Sequence, residues 1–161
     1  MIKKLYLVFL ILITGLISAQ NSLIRMPRIS PNSQEMAFSF QGDIWIYNFN
    51  TKQPKRITIH EGYESNPVWN EAGDELAFSS NRKGANNIFT ISKNGGAPKQ
   101  LTYYPTADIP YDWTASNNIV FATTRVLKGP EWDEQIYFVD ANGGTPQRFI
   151  TALGSMATVS P

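Results

Sequence analysis

Pro67-Val68-Trp69-Asn70-Glu71-Ala72-Gly73-Asp74-Glu75-Leu76-Ala77-Phe78-Ser79 is the stretch that decides the fold. An aromatic residue opens a turn, and an apolar triplet closes it. The same arrangement returns on either side. Ile29 and Trp113 stand where Trp69 stands, and Met36-Ala37-Phe38 and Ile119-Val120-Phe121 stand where Leu76-Ala77-Phe78 stands. A second apolar run follows each triplet: Ile44-Trp45-Ile46-Tyr47, Ile88-Phe89-Thr90-Ile91 and Ile136-Tyr137-Phe138-Val139. Ten residues after the isoleucine that opens each run comes a proline (Pro54, Pro98, Pro146), and the units close on Thr58, Thr102 and Thr151. Phe38 precedes Phe78 by 40 residues, and Phe78 precedes Phe121 by 43. Self-similarity at this period, made of short runs apolar on both faces, predicts four-stranded propeller blades packed between neighbours. A β-sandwich would also space short strands regularly, but without one turn, one proline and one threonine at matched places.

Within the middle unit, the residues predict strands over 67–69, 76–79, 88–92 and 99–102. Residues 80–87 read as a polar loop, and Asn94-Gly95 as a hairpin turn. Pro98 falls where a strand start tolerates it. No stretch keeps a 3.6-residue apolar stripe for three turns, so the chain reads as all-β. The units span about residues 25–58, 64–102 and 108–151. Val159-Ser160-Pro161 repeats Ile29-Ser30-Pro31, so a fourth unit is expected to start over 155–161. A closed propeller takes about four to eight blades. The expectation is therefore an incomplete β-propeller of about three four-stranded blades, the N-terminal piece of a longer protein.

Residues 1–19 read as a secretory signal peptide. Lys3 and Lys4 precede an apolar stretch from Leu5 to Ile17, and Ser18-Ala19 offers a small residue for cleavage before Gln20. An exported chain, periplasmic or extracellular, is expected, with no membrane association after cleavage. No cysteine is present, which excludes disulfides and thiolate metal sites. Without Lys3 and Lys4 the chain carries 12 basic and 13 acidic residues with no long runs, which offers no nucleic-acid-binding stripe.

Catalytic chemistry finds little to work with. A Ser-His-Asp site needs an imidazole between hydroxyl and carboxylate, and the one histidine, His60, reads as a polar loop residue. Glu131, Asp133 and Glu134 cluster in the longest loop as solvated charge. Asp108 and Asp112 match no oxygen-ligand loop, and the Gly-Gly pairs 95–96 and 143–144 read as hairpin turns. No catalytic residue, metal or cofactor is expected. The informative signal is where the units differ. From the phenylalanine of the second strand to the isoleucine of the third, the count is 6, then 10, then 15 residues. Loops that grow on one face of a repeat protein often mark its binding face. That face is expected to gather Arg82, Lys83, Tyr103, Tyr104, Tyr111, Arg125 and Trp132. Aromatic rings interleaved with cations suit peptide recognition, because rigid rings add contact area and cations meet carboxylates.

The segments Ile29-Ser30-Pro31-Asn32, Pro67-Val68-Trp69-Asn70 and Asn94-Gly95-Gly96-Ala97-Pro98-Lys99-Gln100-Leu101-Thr102 resemble the repeat of TolB-type propellers. Here Asn32-Ser33 and Glu71-Ala72-Gly73 replace that repeat's Asp-Gly turn. The repeat begins almost directly after the leader, at Met26-Pro27-Arg28-Ile29. Together with Phe40-Gln41-Gly42-Asp43-Ile44-Trp45 and Asp108-Ile109-Pro110-Tyr111-Asp112, this resembles the N-terminal propeller of exported tricorn-type serine proteases. The resemblance covers Arg25 to Pro161. It implies a propeller that gates or binds peptide or protein substrate, with cutting done by a C-terminal catalytic region of the parent chain. Two other readings stay open: a TolB-like periplasmic propeller that binds protein without hydrolysis, and a propeller preceding an α/β-hydrolase peptidase.

Overall fold

The apolar triplets and the runs after them pair as strands in the computed structural model, which describes residues 23–125, 134–153 and Thr158. The expected leader, Trp132 with its neighbours Glu131 and Asp133, and the start of a fourth unit (Thr158 apart) lie outside the described residues. The first blade consists of β1 (Arg25–Ile29), β2 (Glu35–Phe40), β3 (Asp43–Asn48) and β4 (Gln53–Arg56). The second consists of β5 (Glu64–Trp69), β6 (Glu75–Lys83), β7 (Ala85–Ser92) and β8 (Lys99–Gln100). The third consists of β9 (Asp108–Trp113), β10 (Asn118–Thr123), β11 (Gln135–Asp140) and β12 (Gln147–Leu153). Each is an antiparallel meander in chain order. Three four-stranded blades of an unclosed β-propeller are the result, as the repeat predicts.

Register makes the repeat exact in space. Ile29 faces Met36, Trp69 faces Leu76, and Trp113 faces Ile119. The first strand of every blade carries a register shift, at Met26-Pro27, Asn66-Pro67 and Tyr111. Met26 and Asn66 take positive φ there, and the broken ladder accommodates the prolines that follow them.

Blades pack face to face through two matched apolar clusters. Trp69 joins Ala37, Ile44, Ile46, Ile57, Leu76, Phe78, Phe89 and Ile91 between the first and second blades. Trp113 joins Val68, Ala77, Ile88, Leu101, Ile119, Phe121, Tyr137 and Val139 between the second and third. Both indoles are buried, and Trp69 Nε1 donates to the Arg28 carbonyl at 3.0 Å. Ile29 fills the equivalent place in the first blade and is 53% exposed, because no described blade stands before it.

The terminal threonine of the first two blades has a mechanical purpose; in the third blade Ile150 holds that place, and Thr151 comes one residue later than the repeat predicts. Thr58 Oγ1 accepts from Ile44 N–H, and Thr102 Oγ1 accepts from Ile88 N–H, each at 2.9 Å and buried. The residue before each threonine returns a backbone bond to the same isoleucine: Ile57 N to Ile44 O and Leu101 N to Ile88 O. Outer and third strands are thereby locked where the outer strand leaves the sheet. A second repeated bond runs from the outer strand to the carbonyl two residues on: Arg56 Nε to Thr58, Gln100 Nε2 to Thr102, Arg148 Nε to Ile150. Between blades, Ser39 Oγ donates to Glu64 O and Ser79 Oγ to Asp108 O. At the outer edge, Lys55 Nζ reaches Asn94 O, and Lys99 Nζ reaches Asn142 O.

One expectation is corrected. Residues 80–87 are not a loop but the arms of a hairpin: Ser80 faces Asn87, Lys83 faces Ala85, and Gly84 turns the tip at φ +107°. The segment is polar yet extends the ladder, because its buried members Ser80 and Asn87 and its Arg82 all find partners.

Trp69→Ala is expected to lower unfolding free energy in the intact protein by about 3–5 kcal/mol, measured by denaturant titration. A loss under about 1 kcal/mol would mean that the indole does not wedge two blades together. Thr102→Val keeps shape but strands the Ile88 N–H, with an expected cost of about 1–3 kcal/mol. An unchanged midpoint would show the hydroxyl to be dispensable.

Candidate functional site

The turns between second and third strands meet the blade-to-blade connections at one end of the sheets. Glu64 N donates to Gly42 O, Tyr63 N to Asn81 Oδ1 at 2.7 Å, and Asn87 Nδ2 to Tyr104 O at 2.9 Å. Tyr104 Oη donates to Arg125 O at 2.7 Å. Gly62 packs hard here: an added Cβ would lie 2.9 Å from Asn81 Oδ1 and 3.0 Å from the Arg82 backbone. Among the described residues, the first two of these turns and the two connections lie at one end, and the loop of the third blade lies outside the described residues over 126–133.

Two buried ion pairs hold this end together, at equivalent places in adjacent blades. Arg82 pairs with Glu64, and Arg125 Nη2 with Asp108 Oδ2 at 2.7 Å. Both carboxylates are fully buried, and both arginine side chains are 10% exposed. Arg82 lies over the rings of Phe78 and Phe89, 5.7 and 5.0 Å from their centroids. Arg125 lies about as close to Phe121, Tyr137 and Tyr104. Flat guanidinium groups stack on ring faces while their edges donate to carboxylates, which lysine cannot do. Burial pulls the Arg82 pKa below its ordinary value, and the Asp43 charge pushes it back up. The second oxygens, Glu64 Oε2 and Asp108 Oδ1, are buried without a hydrogen bond among the described residues.

The sequence candidates therefore separate. Arg82 and Arg125 do reach the shared face, but their donors are already engaged inside the fold. Lys83 is exposed at the hairpin tip. Tyr103 is 76% exposed, and Tyr104 lies beside it, resting on Arg125. Tyr111 stands mid-strand in β9, packed on Val120, Ala122 and Ile136. Its phenol pKa is raised, first by burial and then by Glu134, with Arg28 opposing. Trp132 lies outside the described residues.

Other members of this face went unnoticed in the sequence. Ile59 is 79% exposed and occupies in Thr58-Ile59-His60 the place of Tyr103 in Thr102-Tyr103-Tyr104. Overlaying the closing threonines would have found it. A cavity of about 650 Å³ opens beside it, lined by Leu23, Arg25, Gln41, His60, Glu61 and Tyr63 among others. No cluster of three or more histidine or acidic side chains that could hold a metal occurs among the described residues.

Comparison with known proteins agrees with this architecture. A model of the tricorn protease N-terminal beta propeller domain matches residues 21–161. The chain is 30% identical over 103 residues to the uncharacterized peptidase YuxL of Bacillus subtilis, a match covering 60% of this chain and 15% of that protein. It is 25% identical over 118 residues to a protein of Sulfurisphaera tokodaii assigned as a tricorn-like protease N-terminal subunit, covering 70% of this chain and 59% of that one. The crystal structure of TolB from Acinetobacter baumannii superposes with a TM-score of 0.62 at 21% identity, over 80% of this chain and 32% of TolB. The chain thus spans less than two thirds of these relatives.

Removing one partner of a buried pair leaves an uncompensated charge. Arg82→Met is expected to cost about 3–5 kcal/mol, and adding Glu64→Gln to recover much of that. Thermal unfolding of the single and double variants checks this. A double variant no more stable than the single one would mean that the guanidinium does not serve Glu64.

Proposed function

The chain belongs to the tricorn protease N-terminal beta propeller family, and on that premise we propose that it is a non-catalytic, peptide-handling module of an exported protease. One observation carries the reading. The two described blade-to-blade connections present large apolar side chains to solvent at the same position, Ile59 at 79% and Tyr103 at 76% exposure. Exposed side chains of this size, repeated at one place on one face, are poorly explained by folding, since neither fills a core. They fit an extended ligand lying across consecutive blades, met by Ile59, Tyr103 and Tyr104, with Lys83 at the edge. Arg82 and Arg125 enter as positioning residues, which hold the hairpin 80–87 and the root of the loop after Thr123 against the connections.

Export follows in this reading from the leader over residues 1–19, and proteolysis from a catalytic region supplied by the remainder of the parent protein. Among the described residues, the sole histidine is committed locally: His60 Nδ1 accepts from Gly62 N at 2.8 Å. A TolB-like role, docking a folded partner without hydrolysis, would use the same exposed face.

Binding of short fluorescein-labelled peptides to the intact protein tests the reading. Tyr103→Ala and Ile59→Ala are each expected to weaken binding by about tenfold, the scale of an aromatic or aliphatic anchor. Glu71→Ala, in the turn at the opposite end of the second blade, serves as the control. Peptide affinities equal to the control in both variants would rule this face out.

A further inference from the structure

The two ion-pair clasps have no counterpart in the first blade, and that difference creates a second feature. Register places Ile24 where the other blades have Glu64 and Asp108, and Gly42 where the second blade has Arg82. The cavity of about 650 Å³ lies at this corner, between the β2–β3 turn and the connection His60 to Tyr63. Among the described residues, no ion-paired carboxylate takes the place of Glu64 and Asp108 at this corner.

The hydrogen-bonding character of its lining is biased. Arg25, exposed and paired across the strand with Ser39, has no ion-pair or hydrogen-bond partner among the described residues. His60 accepts from Gly62 N through Nδ1, which puts the proton of the neutral ring on Nε2. The Tyr63 hydroxyl has no partner among the described residues, and its ring is 46% exposed. Three unspent donor groups, one of them a guanidinium, therefore face one cavity. Among the described residues, Glu61 is the one acidic group lining it.

We propose that this cavity takes the carboxylate of an acidic side chain from the bound peptide, with Arg25 as its principal partner and His60 Nε2 and Tyr63 Oη as further donors. The proposal rests on the peptide-binding reading and adds its specificity. In the second and third blades an internal carboxylate meets an arginine at this corner. In the first blade the arginine one position along waits for an external one. Glu61 limits the affinity by like-charge repulsion and selects against ligands carrying a second adjacent acid. Arg–carboxylate bonds are directional and often bidentate, so lysine at position 25 restores charge without restoring the full preference.

The test uses acetylated, C-terminally amidated peptides that differ only in a central Glu, Gln or Lys, with anisotropy measured on the intact protein. The Glu peptide is expected to bind tightest. Arg25→Gln is expected to cut its advantage over the Gln peptide by about tenfold, Arg25→Lys to keep part of it, and Glu61→Gln to tighten the Glu peptide. Preference for the Lys peptide, an advantage unmoved by Arg25→Gln, or binding that requires a free C-terminus would each overturn the proposal. If all three peptides bind equally and Tyr103→Ala weakens all three, the peptide face stands and the acidic preference falls. If none binds, both fall.

Discussion

Direct packing of one sheet face on the next is the constraint from which the rest of this propeller follows. Each blade is apolar on both sides, so a blade without neighbours exposes what its neighbours should cover. The fit is made by pairing large with small. Ala37 and Ala77, fully buried at matched positions of the second strands, share their clusters with Trp69 and Trp113 of the following blades. A methyl group on one sheet leaves room for an indole from the next. The third blade has Val120 at this place. A buried aromatic of this kind stabilises by about 1.5–3 kcal/mol through removal from water. Sheets stacked in this way stay in register only if their edges are pinned, and the serine and lysine bonds that run from each blade to the next pin them.

Apolar stacking works along the body of the blades and fails at their ends, where the chain must turn and polar backbone must be satisfied. The clasps solve this end problem. An acid at the start of the inner strand is buried by the same hairpin whose arginine neutralises it, and the arginine is supported from below by rings already in the core. The arrangement costs desolvation of two charges and gains a fixed geometry for hairpin and connection together. It also explains how the polar segment 80–87 can continue a β-ladder well beyond the apolar body of the blade.

The body of each blade was legible in the sequence, and its ends were not. Phe78, Ile88 and Trp69 announce themselves because burial on both faces leaves continuous apolar runs, and a repeat shows them more than once. Thr58 and Thr102 were visible as a pattern, but their purpose was not: the isoleucine N–H they serve lies 14 residues back in the chain. Glu64 and Arg82 are 18 residues apart, and Asp108 and Arg125 are 17. At such separations no helical or strand periodicity links the partners. An arginine among loop residues reads as a free cation until the acid facing it is seen. Tyr111 misled for the opposite reason, since it follows the tyrosine-rich connection in sequence yet sits within a strand.

Departures from the repeat carry more functional information than the repeat itself. Positions identical in all blades answer to packing, which every blade must satisfy, and so say nothing about a ligand. Ile59 and Tyr103 share a position but differ in chemistry, which packing would not tolerate and a varied contact surface would. Gly42 and Ile24 stand in place of a clasp that the second and third blades retain, without substituting any other ion pair at that corner among the described residues. The first blade instead pairs Arg56 with Asp43 nearby, where the second has the neutral pair Gln100 and Asn87. Charge has moved toward the outer strand, which leaves the inner corner open. A fold made of near-copies acquires a distinct site by omitting, in one copy, a contact that the others use to close themselves.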